Sequence, residues 1–137
     1  MRRAFAALTL LALPLCACTG PGAPEDSGVC WQTRQDAAGK LSFTPLAREV
    51  ANMETCSVLL EGLRLKGAPE VDGAYQGYFI FVDARAMTSG RRVAGLHYPI
   101  FQPPQRAEVD RDLQRLMKER GGKLPDPGEI SLERDGP

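Results

Sequence analysis

The first 18 residues limit how much of this chain is available to fold. Arg2 and Arg3 precede a largely apolar run over residues 4–15, which is the order of charge and hydrophobicity in a secretory leader. The run has 12 residues and is too short to span a bilayer as a helix, which needs about 20. Of the 137 residues, 120 remain after a leader of residues 1–17, which is enough for one small domain.

The apolar run ends in the sequence Leu15-Cys16-Ala17-Cys18. Leucine at −3, a small residue at −1 and then cysteine resemble the lipobox of bacterial lipoproteins, and the resemblance covers residues 1–18 only. It implies that residues 1–17 are removed as a signal peptide and that Cys18 carries the lipid. Thr19, in place of aspartate, implies the outer membrane, with the protein facing the periplasm.

Two alternatives to this processing stay open. One is a plain secretory leader that is cut near Ala17. The other is a lipobox ending at Cys16, although Leu15 is bulky for the −1 position of such a box.

Composition divides the mature chain into three parts. Residues 18–28 contain no large apolar side chain and are rich in Gly and Pro, which predicts a lipidated, flexible tether. Residues 29–120 are predicted to form a single domain, and residues 121–137 a flexible C-terminal tail. Without Arg2 and Arg3, 15 basic residues stand against 17 acidic ones. This balance gives no reason to expect nucleic acid as a partner.

The pattern of apolar residues predicts an α+β fold with a small antiparallel sheet and two helices. Strands are predicted over 29–33, 41–44, 75–83 and 92–101, with Gly77 as a bulge, and loops or turns over 68–74 and 88–90. The first helix is predicted over 52–66, from the N-cap Asn52 to Gly67, with Thr44-Pro45 as another possible start. An amphipathic helix is predicted over 106–120.

Cys30 and Cys56 are the cysteines that remain once Cys16 is removed and Cys18 is acylated. In an oxidising compartment such a pair predicts a disulfide, here between the first strand and the first helix. With 25 residues between the two cysteines, chain entropy gives about 3–4 kcal/mol of stabilisation. A metal or redox pair is the alternative, but the Cys-x-x-Cys spacing and a second ligand cluster are missing, so no metal or cofactor is predicted.

His97 is the single histidine of the chain. If the protein is an enzyme, His97 is the candidate general base, with Asp83 as a candidate partner acid; the alternative is a structural or surface histidine. The serine nucleophile elbow, the phosphate-binding glycine loop, the paired zinc histidines and the haem-attachment motif are absent from the sequence. No catalytic residue is therefore predicted.

Two further patterns suggest binding. The first is a group of three arginines, Arg85, Arg91 and Arg92. They could contact an acidic partner or the anionic cell wall; the alternative is that they belong to a solvated loop. Seven aromatic residues either line a groove for a sugar or peptide or form the core: they are Trp31, Tyr75, Tyr78, Phe79, Phe81, Tyr98 and Phe101. The sequence favours a non-enzymatic, lipid-anchored accessory protein with an envelope protein as partner. The alternative is a binding module for a small ligand or a cell-wall fragment.

Overall fold

The domain is built on a six-stranded antiparallel sheet, in a computed structural model that describes residues 20–132. The elements are β1 (Cys30–Gln35), β2 (Leu41–Ala47), α1 (Met53–Leu65), β3 (Glu70–Tyr75), β4 (Tyr78–Asp83), β5 (Met87–Gly90), β6 (Tyr98–Pro99) and α2 (Pro103–Glu119). In space the strands follow the order β2-β1-β3-β4-β5-β6, and every neighbouring pair is antiparallel. The predicted α+β class, with two helices and an antiparallel sheet, is confirmed.

Helix α1 begins at the residue that the sequence indicates, and its disulfide is confirmed. Oδ1 of Asn52 accepts a hydrogen bond of 2.8 Å from the backbone N–H of Thr55, which satisfies a donor that the first helical turn leaves free. Gly67 follows the last turn with a φ of +126°, a conformation that glycine adopts without steric cost. The Cys30–Cys56 disulfide, with 5.3 Å between the Cα atoms, joins β1 to α1.

Helix α1 is buried on two sides. Leu59 and Leu60 pack against the sheet, whereas Val58 packs against Leu113 and Met117 of α2. The sheet, α1 and α2 therefore form three successive layers. Helix α1 is therefore the centre of the core, because it packs against the sheet on one side and against α2 on the other.

The segment 68–83 differs most from its sequence prediction. The sequence predicts a loop over 68–74 and one strand over 75–83, whereas the structure has two strands, β3 and β4, joined at Gln76 and Gly77. Both turn residues have a positive φ, +44° and +82°, as the type I′ two-residue hairpin turn requires. A Cβ at Gly73 would collide with the side chain of Leu60. That glycine therefore serves close packing of helix on strand, and the prediction of a loop there was wrong.

The chain after β4 is also divided differently from the prediction. Residues 88–90, predicted as a turn, belong to β5, and Tyr98–Pro99 is the only part of the predicted strand over 92–101 that pairs with the described sheet. The turn comes earlier because Oδ1 of Asp83 accepts hydrogen bonds from the backbone N–H groups of Arg85 (2.6 Å) and Ala86 (2.8 Å). An aspartate that bonds the amides following it favours a tight turn at that point.

Packing extends beyond the predicted domain of residues 29–120 at both ends. Ala23 is buried, and the carbonyl O of Pro24 accepts a hydrogen bond of 2.8 Å from the N–H of Gly77. Residues 123–132 fold back on the helices and include a 3₁₀ turn at Pro127–Glu129. Part of the predicted tether and part of the predicted tail thus contact the domain. The predictions for Cys16, Cys18 and Thr19 lie outside the described residues.

Candidate functional site

A groove lies between α2 and the C-terminal segment that folds back beside it. Its volume is about 420 Å³, within the range of roughly 300–1,000 Å³ that is usual for ligand pockets. Its lining combines apolar side chains with charged ones. The apolar residues include Val58, Phe101, Val109, Leu116, Ile130 and Leu132, and the charged ones are Glu108, Asp112, Arg115 and Glu129. We call this feature the α2 groove.

Arg120 fixes the second wall of the α2 groove. Gly121 and Gly122, with φ values of +65° and +84°, end α2 and reverse the chain. Nε of Arg120 donates to the carbonyl O of Leu124 (3.2 Å), and its Nη1 lies 2.7 Å from a carboxylate oxygen of Glu129. These bonds hold the returning segment in place, although its composition alone predicts a flexible tail.

The charged residues of the α2 groove are mostly acidic. Glu108, Asp112 and Glu129 stand against Arg115, whose Nη2 lies 2.8 Å from Oδ1 of Asp112. Because Arg120 also pairs with Glu129, three carboxylates against two guanidinium groups leave the rim with one net negative charge. An apolar groove with a negative rim is complementary to an apolar segment that carries basic side chains at its margins.

A buried ionic cluster lies where α1, α2 and the end of β4 meet. The carboxylate of Glu61 is fully buried and accepts two hydrogen bonds of 2.8 Å from Nε and Nη2 of Arg64. Nη2 of Arg106 lies 3.2 Å from Oε1 of Glu61. Arg106 also donates to the carboxylate of Asp110 (2.9 Å) and to the carbonyl O of Asp83 (2.9 Å).

The charges of this cluster are paired with one another, and Nη1 of Arg106 is buried without a hydrogen-bond partner among residues 20–132. Burial raises the pKa of the Asp110 carboxyl above its usual range, while the hydrogen bond and the charge of Arg106 oppose that rise. The hydrogen bond to Glu61 raises the pKa of Arg64 above its ordinary value. Two acids and two bases balance in charge, and we interpret the cluster as a clamp between the helices. Its sequence signal is Glu61, a charged residue directly after the apolar run Val58-Leu59-Leu60, which helical periodicity of apolar residues does not reveal.

The hypothetical catalytic pair of His97 and Asp83 is not assembled. The carboxylate of Asp83 is used by the backbone amides of Ala86 and Arg85, which hold its pKa below the usual range. His97 stacks on Phe81 with 4.2 Å between the ring centroids. No hydrogen bond joins His97 to a carboxylate within residues 20–132. The structure therefore gives His97 a packing role.

The seven aromatic residues singled out in the sequence do not form one groove in the described part of the chain. They are divided among four places. These are a cluster on the face of the sheet away from α1 (Trp31, Phe79 and Phe81), the main core (Tyr75), a second cavity of about 390 Å³ beside β6 (Tyr78 and Tyr98) and the α2 groove (Phe101). Aromatic residues therefore contribute little to the α2 groove.

The three arginines singled out in the sequence are separated as well. Arg85 lies in the turn between β4 and β5, whereas Arg91 and Arg92 follow β5 at the opposite end of that strand. The guanidinium of Arg91 lies over the ring of Tyr78, 4.4 Å from its centroid. Only Arg91 and Arg92 therefore belong to one surface.

Comparison with known proteins adds no family to this geometry. No protein-family model, curated protein or solved structure matches the chain. Among residues 20–132, no helix is long and apolar enough to cross a bilayer. The same residues contain no group of three His, Cys, Asp or Glu side chains that could hold a metal ion. The α2 groove is the candidate site that the geometry of the described residues supports best.

Proposed function

We propose that this chain is a lipid-anchored protein of the bacterial envelope that has no catalytic activity of its own and binds a partner protein. The observation that carries the proposal is the α2 groove, which leaves apolar side chains open beside a negative rim. The partner that fits this chemistry presents an amphipathic helix with Lys or Arg at its margins. Glu108 would meet those basic side chains, since the carboxylate of Glu129 is already paired with Arg120.

The anchor is supported by the N-terminal sequence and by the disulfide. Residues 1–18 resemble a lipoprotein leader, with Cys18 as the acylated residue and Thr19 directing the protein to the outer membrane. The Cys30–Cys56 disulfide is consistent with export, because disulfides persist in oxidising compartments such as the periplasm. Both arguments favour a domain that acts outside the cytoplasm and close to a membrane.

Replacing the proposed lipid-bearing residue, Cys18→Ala, is expected to abolish acylation and to release the protein from the membrane fraction. The measurement is metabolic labelling with a fatty-acid analogue, together with fractionation of the envelope. Cys16→Ala is the matched control, since it removes a neighbouring thiol and should leave labelling intact. Continued labelling of Cys18→Ala, or its loss in Cys16→Ala instead, would overturn the assignment.

A charge placed in the α2 groove, Leu116→Glu, is expected to reduce partner capture at least 10-fold without unfolding the domain. A buried charge is costly to desolvate, and here it also adds to a negative rim. The measurement uses a photoreactive residue in place of Gln105, which also lines the groove, in living cells and quantifies one cross-linked species of fixed mass. Gln114→Glu adds the same charge on the exposed side of α2 and should leave the cross-link unchanged. Equal yields in both variants would argue against the groove.

The alternative is a binding module for a small ligand or a cell-wall fragment. The volume of the α2 groove, about 420 Å³, favours it, because ligand pockets have this size. Sugar binding is supported less, since Phe101 is the single aromatic residue in the lining described here. Titration with soluble cell-wall fragments separates the two functions: saturable binding that Leu116→Glu removes, without a protein cross-link, would favour the alternative.

A further inference from the structure

One end of the sheet gathers the start of the described chain, the β3–β4 turn and the loop between β5 and β6. The carbonyl O of Pro24 accepts a hydrogen bond of 2.8 Å from the N–H of Gly77, in that turn. The next residue, Tyr78, lies under the guanidinium of Arg91, 4.4 Å from its ring centroid. The chain that leads back to Cys18 therefore lies at the same end of the sheet as residues 91–98. These residues, which are the β5–β6 loop together with Tyr98 of β6, are called the loop 91–98 below.

The length of chain from Cys18 limits how far this end can lie from a membrane. Ala23 is the first buried residue of the described chain. Ala23 lies five positions after Cys18, and a fully extended chain over five positions spans at most about 18 Å. This step rests on the proposed lipid anchor. A lipid on Cys18 would hold this end of the domain, rather than the opposite end, close to the bilayer surface.

The side chains of the loop 91–98 are unusual for a surface that faces water. Val93, Leu96 and Tyr98 are 38%, 79% and 63% exposed, and they are the exposed large hydrophobic residues of the described chain. A single exposed apolar residue is ordinary, but three within six positions form a local patch. Arg91 and Arg92 precede them, and no acidic residue occurs between Asp83 and Glu108.

Contacts within the domain order the loop 91–98 while Leu96 and Tyr98 stay exposed to solvent. His97 stacks on Phe81, and its Nε2 lies 3.2 Å from the carbonyl O of Arg92. Gly90 permits this contact, because a Cβ there would lie 2.5 Å from the His97 ring and 2.9 Å from the carbonyl O of Leu96. A loop that is already ordered loses little conformational entropy when it binds a surface.

We propose that the loop 91–98 is a membrane-surface site that binds an anionic lipid bilayer. Leu96 and Tyr98 enter the boundary between headgroups and acyl chains, where aromatic and aliphatic side chains are favoured. Arg91 and Arg92 pair with lipid phosphates, and each contributes about 5-fold to partitioning onto an anionic surface. The site fixes the orientation of the domain and turns the α2 groove, on the other side of α1, toward a partner.

The test uses the mature protein in vesicles of one part phosphatidylglycerol to three parts phosphatidylcholine, with some of the acyl chains brominated. Leu96→Trp is compared with Ala37→Trp, which lies in the exposed β1–β2 loop at the opposite end of the sheet. Bromine quenches a nearby tryptophan, so we expect strong quenching of Leu96→Trp and little of Ala37→Trp. Trp31 is present in both variants and contributes equally to their fluorescence, so the difference between them reports the new tryptophan.

The proposal would be overturned if bromine quenched the two variants equally, whether strongly or weakly. The acyl mass of the purified protein is measured separately, so a missing lipid is recognised as failure of the anchor and not of the loop. In that case the unacylated protein is added to the same vesicles and sedimented with them. Arg91→Ala/Arg92→Ala should then weaken binding about 25-fold, whereas Arg34→Ala, exposed at the opposite end of the sheet, should not. Equal binding of these two variants would refute the loop independently of the lipid.

Discussion

Replacing Cys30 and Cys56 together by alanine is expected to lower the free energy of unfolding by about 3–4 kcal/mol. The disulfide closes a loop with a sequence separation of 26 and thereby restricts the unfolded chain. Both cysteines are fully buried, so oxidation also fixes α1 on the sheet at the centre of the core. Because small domains are stable by only about 5–15 kcal/mol, this loss is large. Urea unfolding followed by circular dichroism measures it.

Reduction provides the control for this prediction. The wild-type protein with a thiol reductant should approach the stability of Cys30→Ala/Cys56→Ala, and the double variant should not respond to the reductant. The urea m-value should rise in both cases, because an unfolded chain without the cross-link exposes more surface. A double variant within 1 kcal/mol of the oxidised wild type would show that the disulfide is not a major source of stability.

The parts of the fold that sequence reasoning predicted well depend on short-range signals or on simple elimination. Asn52 caps α1 through Thr55, three residues away, and Gly67 ends it locally, so both ends could be predicted from the sequence. The disulfide followed from the small number of cysteines that would remain if the N-terminal segment is removed as a leader and Cys18 is acylated. The apolar stripe of α2 includes Leu113 and Met117, which the structure buries against α1.

The parts that were missed depend on contacts between distant residues. Gly73 suggested a loop, yet its lack of a Cβ makes room for Leu60 across the helix–sheet interface. The Gln76-Gly77 turn lacks the Asn-Gly or Asp-Gly signature of a two-residue hairpin. Composition likewise predicted a flexible tail, because the pairing of Arg120 with Glu129 follows from the path of the chain rather than from a local pattern. One wall of the α2 groove was therefore predictable and the other was not.

Glu61→Leu is expected to destabilise the domain by about 3–5 kcal/mol, which is the usual effect of breaking a buried ion pair. The glutamate side chain has no exposed surface, and Arg106 is 8% exposed. Removing the carboxylate leaves the guanidinium of Arg106 buried with less compensating charge. Glu119→Leu, on the exposed side of α2, is the matched control and should change stability by no more than about 0.5 kcal/mol. Urea unfolding at neutral pH measures both variants.

The double variant Glu61→Leu/Arg106→Met distinguishes a clamp from a simple packing defect. Arg64 and Asp110 are 16% and 27% exposed, so each reaches solvent once its buried partner is replaced by an apolar side chain. Apolar replacement of a whole buried pair is often neutral. We therefore expect the double variant to recover most of the loss, with a coupling energy of roughly 2–3 kcal/mol between the two sites. If the two losses simply add, Glu61 and Arg106 act separately, and the cluster does not join α1 to α2 through their charges.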